Sequence, residues 1–169
     1  MKKFCCASLI LVFSVLLAFA PSNAKARDGK NLSHRLGVGF TNQIATTSDG
    51  TIPALSGKYY LSKSSAASIA LGMDTRSSNS TVAVGAKFYQ NLFMEENMLF
   101  YTGLGGALVS RTGSKFQVSA FLGSEFFIPG LSSLGLSFEA GIRGDSTTGS
   151  FAIRTTGESF LTAGMHFYF

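Results

Sequence analysis

The chain has 169 residues and a formal net charge of +5, with only 14% charged residues against 19 glycines, 16 phenylalanines and no tryptophan. No cluster of Lys and Arg concentrates the positive charge, so the footprint that a nucleic acid requires is missing. Cys5 and Cys6 are the only cysteines and both lie at the extreme N-terminus, which excludes a disulfide scaffold or a cysteine-ligated metal site in the rest of the chain.

At the N-terminus, Lys2 and Lys3 precede an uncharged apolar run, Leu9 to Ala20, and Ser22-Asn23-Ala24 or Ala24-Lys25-Ala26 supplies the small residues of a cleavage site. This order predicts a secretory signal peptide over residues 1–24. The apolar run is shorter than the roughly 18 residues of a spanning helix. Loss of Lys2 and Lys3 lowers the charge from +5 to +3 and leaves about 145 residues, enough for one domain. A short polar segment, 25–32, leads into a domain over 33–169. No window of that domain is apolar for long enough to form a membrane helix.

Short alternating runs separated by Ser, Gly, Asn and Asp predict an all-β domain. The first run sets Leu36, Val38 and Phe40 against Arg35, Gly37, Gly39 and Thr41. The second sets Leu55, Tyr59 and Leu61 against Ser56, Lys58 and Tyr60. In the third, Ala67, Ile69, Leu71 and Met73 oppose Ser68, Ala70, Gly72 and Asp74. In the fourth, Val82, Val84, Ala86 and Phe88 oppose Thr81, Ala83, Gly85, Lys87 and Tyr89. The fifth, Met98 to Val109, is ambiguous, and Phe100, Leu104 and Leu108 are expected to oppose Tyr101, Gly103 and Gly105. The sixth sets Phe116, Val118, Ala120, Leu122 and Phe126 against Gln117, Ser119, Phe121, Gly123 and Glu125. The seventh, after Pro129-Gly130, sets Leu134, Leu136, Phe138, Ala140 and Ile142 against Gly135, Ser137, Glu139, Gly141 and Arg143. The eighth sets Leu161, Ala163, Met165, Phe167 and Phe169 against Phe160, Thr162, Gly164, His166 and Tyr168. Phe151 and Ile153 keep its apolar parity, so this run starts either near Leu161 or near Ser150 with Arg154 inward.

The charges within these runs fall on one parity. Arg35, Lys58, Asp74, Lys87, Glu125, Glu139, Arg143 and Glu158 share the face of the Gly, Ser and Thr residues. A soluble sandwich places such a face in water and needs many charges to cover it. A membrane barrel places it in a narrow interior, with the apolar parity outward in lipid. Few charges and many small residues on the charged parity fit the second case. Eight runs of about ten residues fit tilted membrane strands. The expected fold is therefore an eight-stranded antiparallel up-and-down transmembrane β-barrel after a cleaved signal peptide.

The signal peptide, the eight alternating runs and the terminal Met165-His166-Phe167-Tyr168-Phe169 resemble small outer-membrane barrels of the OmpA/OmpX and opacity-protein type. Gly57-Lys58-Tyr59-Tyr60-Leu61 is similar to the second strand of such barrels. The resemblance spans residues from about 33 to 169. It implies an outer-membrane location, outer-membrane lipid and lipopolysaccharide as surroundings, and periplasmic chaperones and the barrel-assembly machinery as partners during insertion. It also implies that Leu161, Ala163, Met165, Phe167 and Phe169 form a C-terminal assembly signal. Both termini and the turns near 62–65, 90–97 and 129–133 would be periplasmic. Loops near 43–51, 75–80, 110–114 and 145–157 would face outside the cell. The aromatic girdles would lack the usual tryptophan.

The eight inward charges, four basic and four acidic, predict an ion-pair network, because an unpaired buried charge is costly. An eight-stranded lumen is filled by side chains, which disfavours a diffusive pore. His166 is expected inside near the periplasmic end, His34 at the start of the first strand, and neither has a second histidine at ligand spacing. A lipid-modifying hydrolase needs a positioned Ser-His-carboxylate set, and the histidines lie at the wrong end for one. Gly103-Leu104-Gly105-Gly106 lacks the Lys-Ser/Thr of a phosphate loop. Arg111 and Arg154 are thin grounds for lipopolysaccharide phosphate contact. The expected role is non-enzymatic, without cofactor, metal or nucleic acid: support of outer-membrane integrity. The alternatives are a surface adhesion or host-interaction protein with an unidentified ligand, and a narrow ion channel. Arg in place of Phe138 or Ile142 is expected to harm assembly, and Asn in place of Ser137 to be mild.

Overall fold

The computed structural model describes residues 30–47, 50–76, 79–111, 113–147, 150–155 and 162–169; the predicted signal peptide, Glu158, Phe160 and Leu161 lie outside the described residues. In chain order the strands are β1 (Leu36–Thr41), β2 (Thr46–Thr47), β3 (Gly50–Thr51), β4 (Ala54–Tyr60), β5 (Ser65–Arg76), β6 (Asn79–Met94), β7 (Met98–Ser110), β8 (Ser114–Ile128), β9 (Leu131–Thr147), β10 (Ser150–Thr155) and β11 (Thr162–Tyr168). Eight of them, β1, β4, β5, β6, β7, β8, β9 and β11, close into an antiparallel barrel. The seam joins β1 to β11, with Gly37 opposite Tyr168 and Phe40 opposite Met165.

The last predicted run is divided in two. β11 pairs with Leu134–Glu139 of β9, and β10 pairs with Ile142–Thr147 further along the same edge. β10 has no other ladder partner among the described residues. β5 to β9 are 12 to 17 residues long, whereas β1, β4 and β11 have six or seven. One side of the wall is therefore raised at the end away from the two described termini, called here the far end.

At the terminal end the connections are tight. Pro129-Gly130, with φ of +87° at the glycine, joins β8 to β9. Proline followed by a positive-φ glycine is the wording of a type II turn. Such a turn does not match strand twist in a two-residue hairpin, and the ladder shifts register between Phe127 and Ile128 beside it. The turn expected over 90–97 is shorter than the sequence suggests, because β6 runs on to Met94. A bulge between Asn91 and Phe93 lets Phe93 stack on Phe100, with ring centroids 5.0 Å apart and 11° between planes.

The alternation holds around the ring. Leu36, Val38, Phe40, Leu55, Ile69, Leu71, Val84, Phe88, Leu104, Leu108, Leu122, Ile142 and Phe167 are exposed on the outside. Lys58, Lys87, Tyr101, Glu125, Ser137, Glu139 and Arg143 are buried inside. The ambiguous run, now β7, keeps the expected face, with Leu104 and Leu108 outward. The narrow interior accommodates its rings by placing them against glycine. Tyr168 lies opposite Gly37 and Tyr101 opposite Gly123. A Cβ at Gly37 would stand 2.5 Å from the Tyr168 ring, and one at Gly123 2.7 Å from that of Tyr101. Any side chain at those glycines would evict the ring.

Candidate functional site: the filled lumen

The lumen is built in three layers. At the terminal end, Leu32, Tyr60, Ala66, Tyr89, Leu99, Tyr101, Phe121, Phe127 and Tyr168 form an apolar cluster. Leu32 comes from outside the ring and reaches it through a turn in which the Arg35 amide donates to the Leu32 carbonyl at 3.0 Å. His34 closes that turn in the left-handed region, φ +64°, and its amide donates to the Tyr60 carbonyl at 2.8 Å. Lys30 donates to the Ser132 carbonyl and lies 3.6 Å from the centroid of Phe127. Burial, reinforced by the Arg35 charge, holds its ammonium below the usual lysine range.

The middle layer carries the charges. Glu125, fully buried on β8, accepts from Lys58 Nζ at 2.8 Å, Tyr60 Oη at 2.7 Å and Tyr168 Oη at 2.6 Å. Lys58 also lies 4.5 Å from the ring centroid of Tyr89 and 4.9 Å from that of Tyr101. β4 and β8 stand opposite each other in the ring, so this pair bridges the full width of the lumen. A second bridge joins Lys87 on β6 to Glu139 on β9, and Tyr101 Oη donates to Glu139 at 3.3 Å. Lys87 lies 4.4 Å from the Phe121 centroid. Desolvated charges are tolerable only when paired and hydrogen-bonded, and both carboxylates meet that condition.

Of the charges predicted to face inward, Lys58, Lys87, Glu125, Glu139 and Arg143 are buried in the lumen. Arg35 and Asp74 are half-buried, one near the terminal end and the other towards the raised rim, opposite Thr81. Glu158 lies outside the described residues. Arg154 departs from the inward expectation. It is a direct register partner of Arg143, yet its side chain is 64% exposed. Its Nε lies 3.8 Å from an Asp145 carboxylate oxygen.

The tyrosines were the ligands that sequence reasoning missed. The signal was present, since Tyr60, Tyr89, Tyr101 and Tyr168 fall on the charged parity and only Tyr59 falls on the apolar one.

His166 Nε2 lies 2.7 Å from Ser56 Oγ, across Gly39, which is the register partner of both residues. Both side chains are buried, and Nδ1 has no hydrogen-bond partner among the described residues. A nucleophilic Ser-His pair needs an orienting group on the second nitrogen and a path for substrate. The pair as placed ties β4 to β11. No group of three His, Cys, Asp or Glu among the described residues could hold a metal ion.

The far layer corrects the loop expected over 43–51. The chain after β1 does not stand clear of the ring as a free loop but turns into the lumen. Asn42 continues the β1–β11 ladder, with its amide donating to the Ala163 carbonyl at 3.0 Å and its Oδ1 accepting from the Ala163 amide at 2.7 Å. Gln43 is buried, and its Nε2 reaches the Ser137 and Thr162 carbonyls, each at 3.4 Å. Ile44, Ala45 and Ile52 then pack with Ala54, Ala70, Ala83, Ala107 and Val109 of the wall. The β2–β3 hairpin closes the insertion. The wall makes room at two glycines, since a Cβ at Gly85 would collide with Ile44 and one at Gly72 would lie 2.8 Å from Ile52. The physical reason is apolar burial. Two isoleucines meet a ring of small residues that would otherwise line a void.

Among the described residues, the outward face holds no comparable constellation. Its side chains form a belt of Leu, Val, Ile, Met and Phe around the closed ring, and the terminal run contributes Ala163, Met165, Phe167 and Phe169 to it. Comparison with family models, curated proteins and solved structures gave no match to this chain.

Proposed function

We propose that this chain is an integral barrel of a bacterial outer membrane, exported through its N-terminal signal peptide, whose role is structural support of that membrane. The observation that carries the reading is the inverted alternation. A closed ring wears apolar side chains outside and keeps its charges inside. A soluble monomer rarely exposes an apolar patch above a few hundred Å², whereas hydrocarbon favours such a surface and tolerates sheets only when their edges are closed. No helix of the described residues is long and apolar enough to cross a membrane.

The band has suitable dimensions. On β7 the outward run from Phe100 to Leu108 covers nine residues, which at about 3.3 Å each and a tilt near 40° rises about 20 Å. Phe88, Phe93, Phe126, Phe167 and Phe169 cluster towards the terminal end, while Phe40, Phe116 and Phe151 lie towards the other. They take the girdle position usual for Trp and Tyr. By the resemblance to OmpA/OmpX and opacity-type barrels, the terminal end is periplasmic. On the same reading, the outward residues Ala163 to Phe169 serve the barrel-assembly machinery during insertion.

The filled lumen supports a structural role over a channel. A narrow channel would show single-channel conductance in planar bilayers, altered by Glu139→Gln or Arg143→Gln. The raised wall of β5 to β9 supports surface adhesion as the second reading, because it carries its hairpins furthest from the band. Binding to host cells that disappears when residues 110–114 are replaced by a two-residue turn would favour it.

Fractionation with gel mobility tests the main reading. An outer-membrane band that migrates faster unheated than boiled is the expected result. A soluble periplasmic protein without a heat shift would overturn it.

A further inference from the structure

Among the described residues, the outward face carries three strand glycines, and their surroundings differ. Gly144 is roofed by the ring of Phe151 from β10, and Gly106 has the Phe116 ring 3.8 Å from where its Cβ would stand. Gly57 has nothing within 4 Å. Its register partners are Val38 and Ile69, and Ile69, with that flank bare, is 71% exposed. The next cross-strand row, Leu55, Leu71 and Val84, bounds the gap on the far side. Together these residues line a shallow slot that is open on its outer side.

We propose that this slot seats one acyl chain of a membrane lipid, retained by the barrel as a specific ligand. The inference rests on the membrane reading above. The slot lies in the middle of the outward belt, and its outward side chains are hydrocarbon, so a polar headgroup or peptide backbone would lose its hydrogen bonds there. The space left by one missing side chain between Val38 and Ile69 is narrow, which suits an unbranched hydrocarbon chain. A second copy of the chain is the competing occupant. A stable protein interface uses about 20–30 residues on each side, whereas eight residues line this slot. One flexible chain fits what is there. Gly57 is thus a binding position created by a missing side chain, while the neighbouring phenylalanines close the other two gaps.

The test is native mass spectrometry of the barrel refolded into dimyristoylphosphatidylcholine vesicles and released in mild detergent. Gly57→Leu fills open space and should fold, as gel mobility would verify. Ala120→Leu, an outward change on β8, is the control. The expected result is one lipid fewer retained by Gly57→Leu than by the wild type or the control. Equal lipid counts on barrels that still shift on heating would overturn the slot while leaving the membrane reading intact. A wild-type dimer abolished by Gly57→Leu would also overturn it, in favour of a second copy. A protein that neither enters vesicles nor shifts on heating would overturn both.

Discussion

Glu125 concentrates the energetics of the interior in one carboxylate. It holds an ammonium and two phenols with no exposure to solvent. Glu125→Leu strands the Lys58 charge, and removing one partner of a buried pair costs about 3–5 kcal/mol. Adding Lys58→Met removes the stranded charge and should restore most of the stability, because an apolar replacement of both partners is often neutral. Urea unfolding in lipid vesicles measures both variants. A double variant as unstable as the single would mean that the carboxylate acts through its tyrosines. At this scale the sequence was partly legible. Parity placed Lys58 and Glu125 on the same face, but periodicity along single strands carries no information about which residues meet across the ring. That distance belongs to closure, and so the pairing of β4 with the opposite β8 wall became visible only in three dimensions.

β9 alternates between two environments along its length, and substitutions should divide accordingly. Phe138 packs outward on Phe126, with centroids 6.1 Å apart. On the proposed membrane reading, Phe138→Arg should cost about 2–4 kcal/mol, the range for a cation at the bilayer midplane, read as loss of the heat-shifted band. The mild outcome expected for Ser137→Asn does not survive the structure. Ser137 is buried against Gln43, and its hydroxyl lies 2.8 Å from where a Cβ at Gly164 would stand. A larger side chain there should displace Gln43, lowering stability by about 1–3 kcal/mol through overpacking. Asn at Ser119, half-buried on β8, should cost less in the same unfolding assay. Strand existence and facing were legible because alternation repeats in each run. The ends were less so: Phe93 stacking prolonged β6, and the final run split, neither being a matter of parity.

At the scale of the molecule, the interior is closed from both ends by segments that belong to no stave of the ring, Leu32 at one end and the 42–53 connection at the other. The insertion is a testable unit. Gly85→Leu places a side chain where Ile44 sits, so the connection should be expelled while the ring survives. Proteinase K should then cut between residues 42 and 53 in folded vesicle-bound barrels, with the wild type resistant there and both retaining the heat shift. Equal resistance would show that the connection repacks inside. The sequence hid this feature because polar Gln43 and the Thr46–Thr51 stretch read as a surface turn, and Ile44 and Ile52 are too far apart to form a periodic run. The filling follows directly on the first stave, and Asn42 and Gln43 reach Ala163, Thr162 and Ser137 across the seam between β1 and β11. The residues that fasten the wall are thus continuous with those that fill it, so a change at the seam is felt by the contents and a change in the contents by the seam.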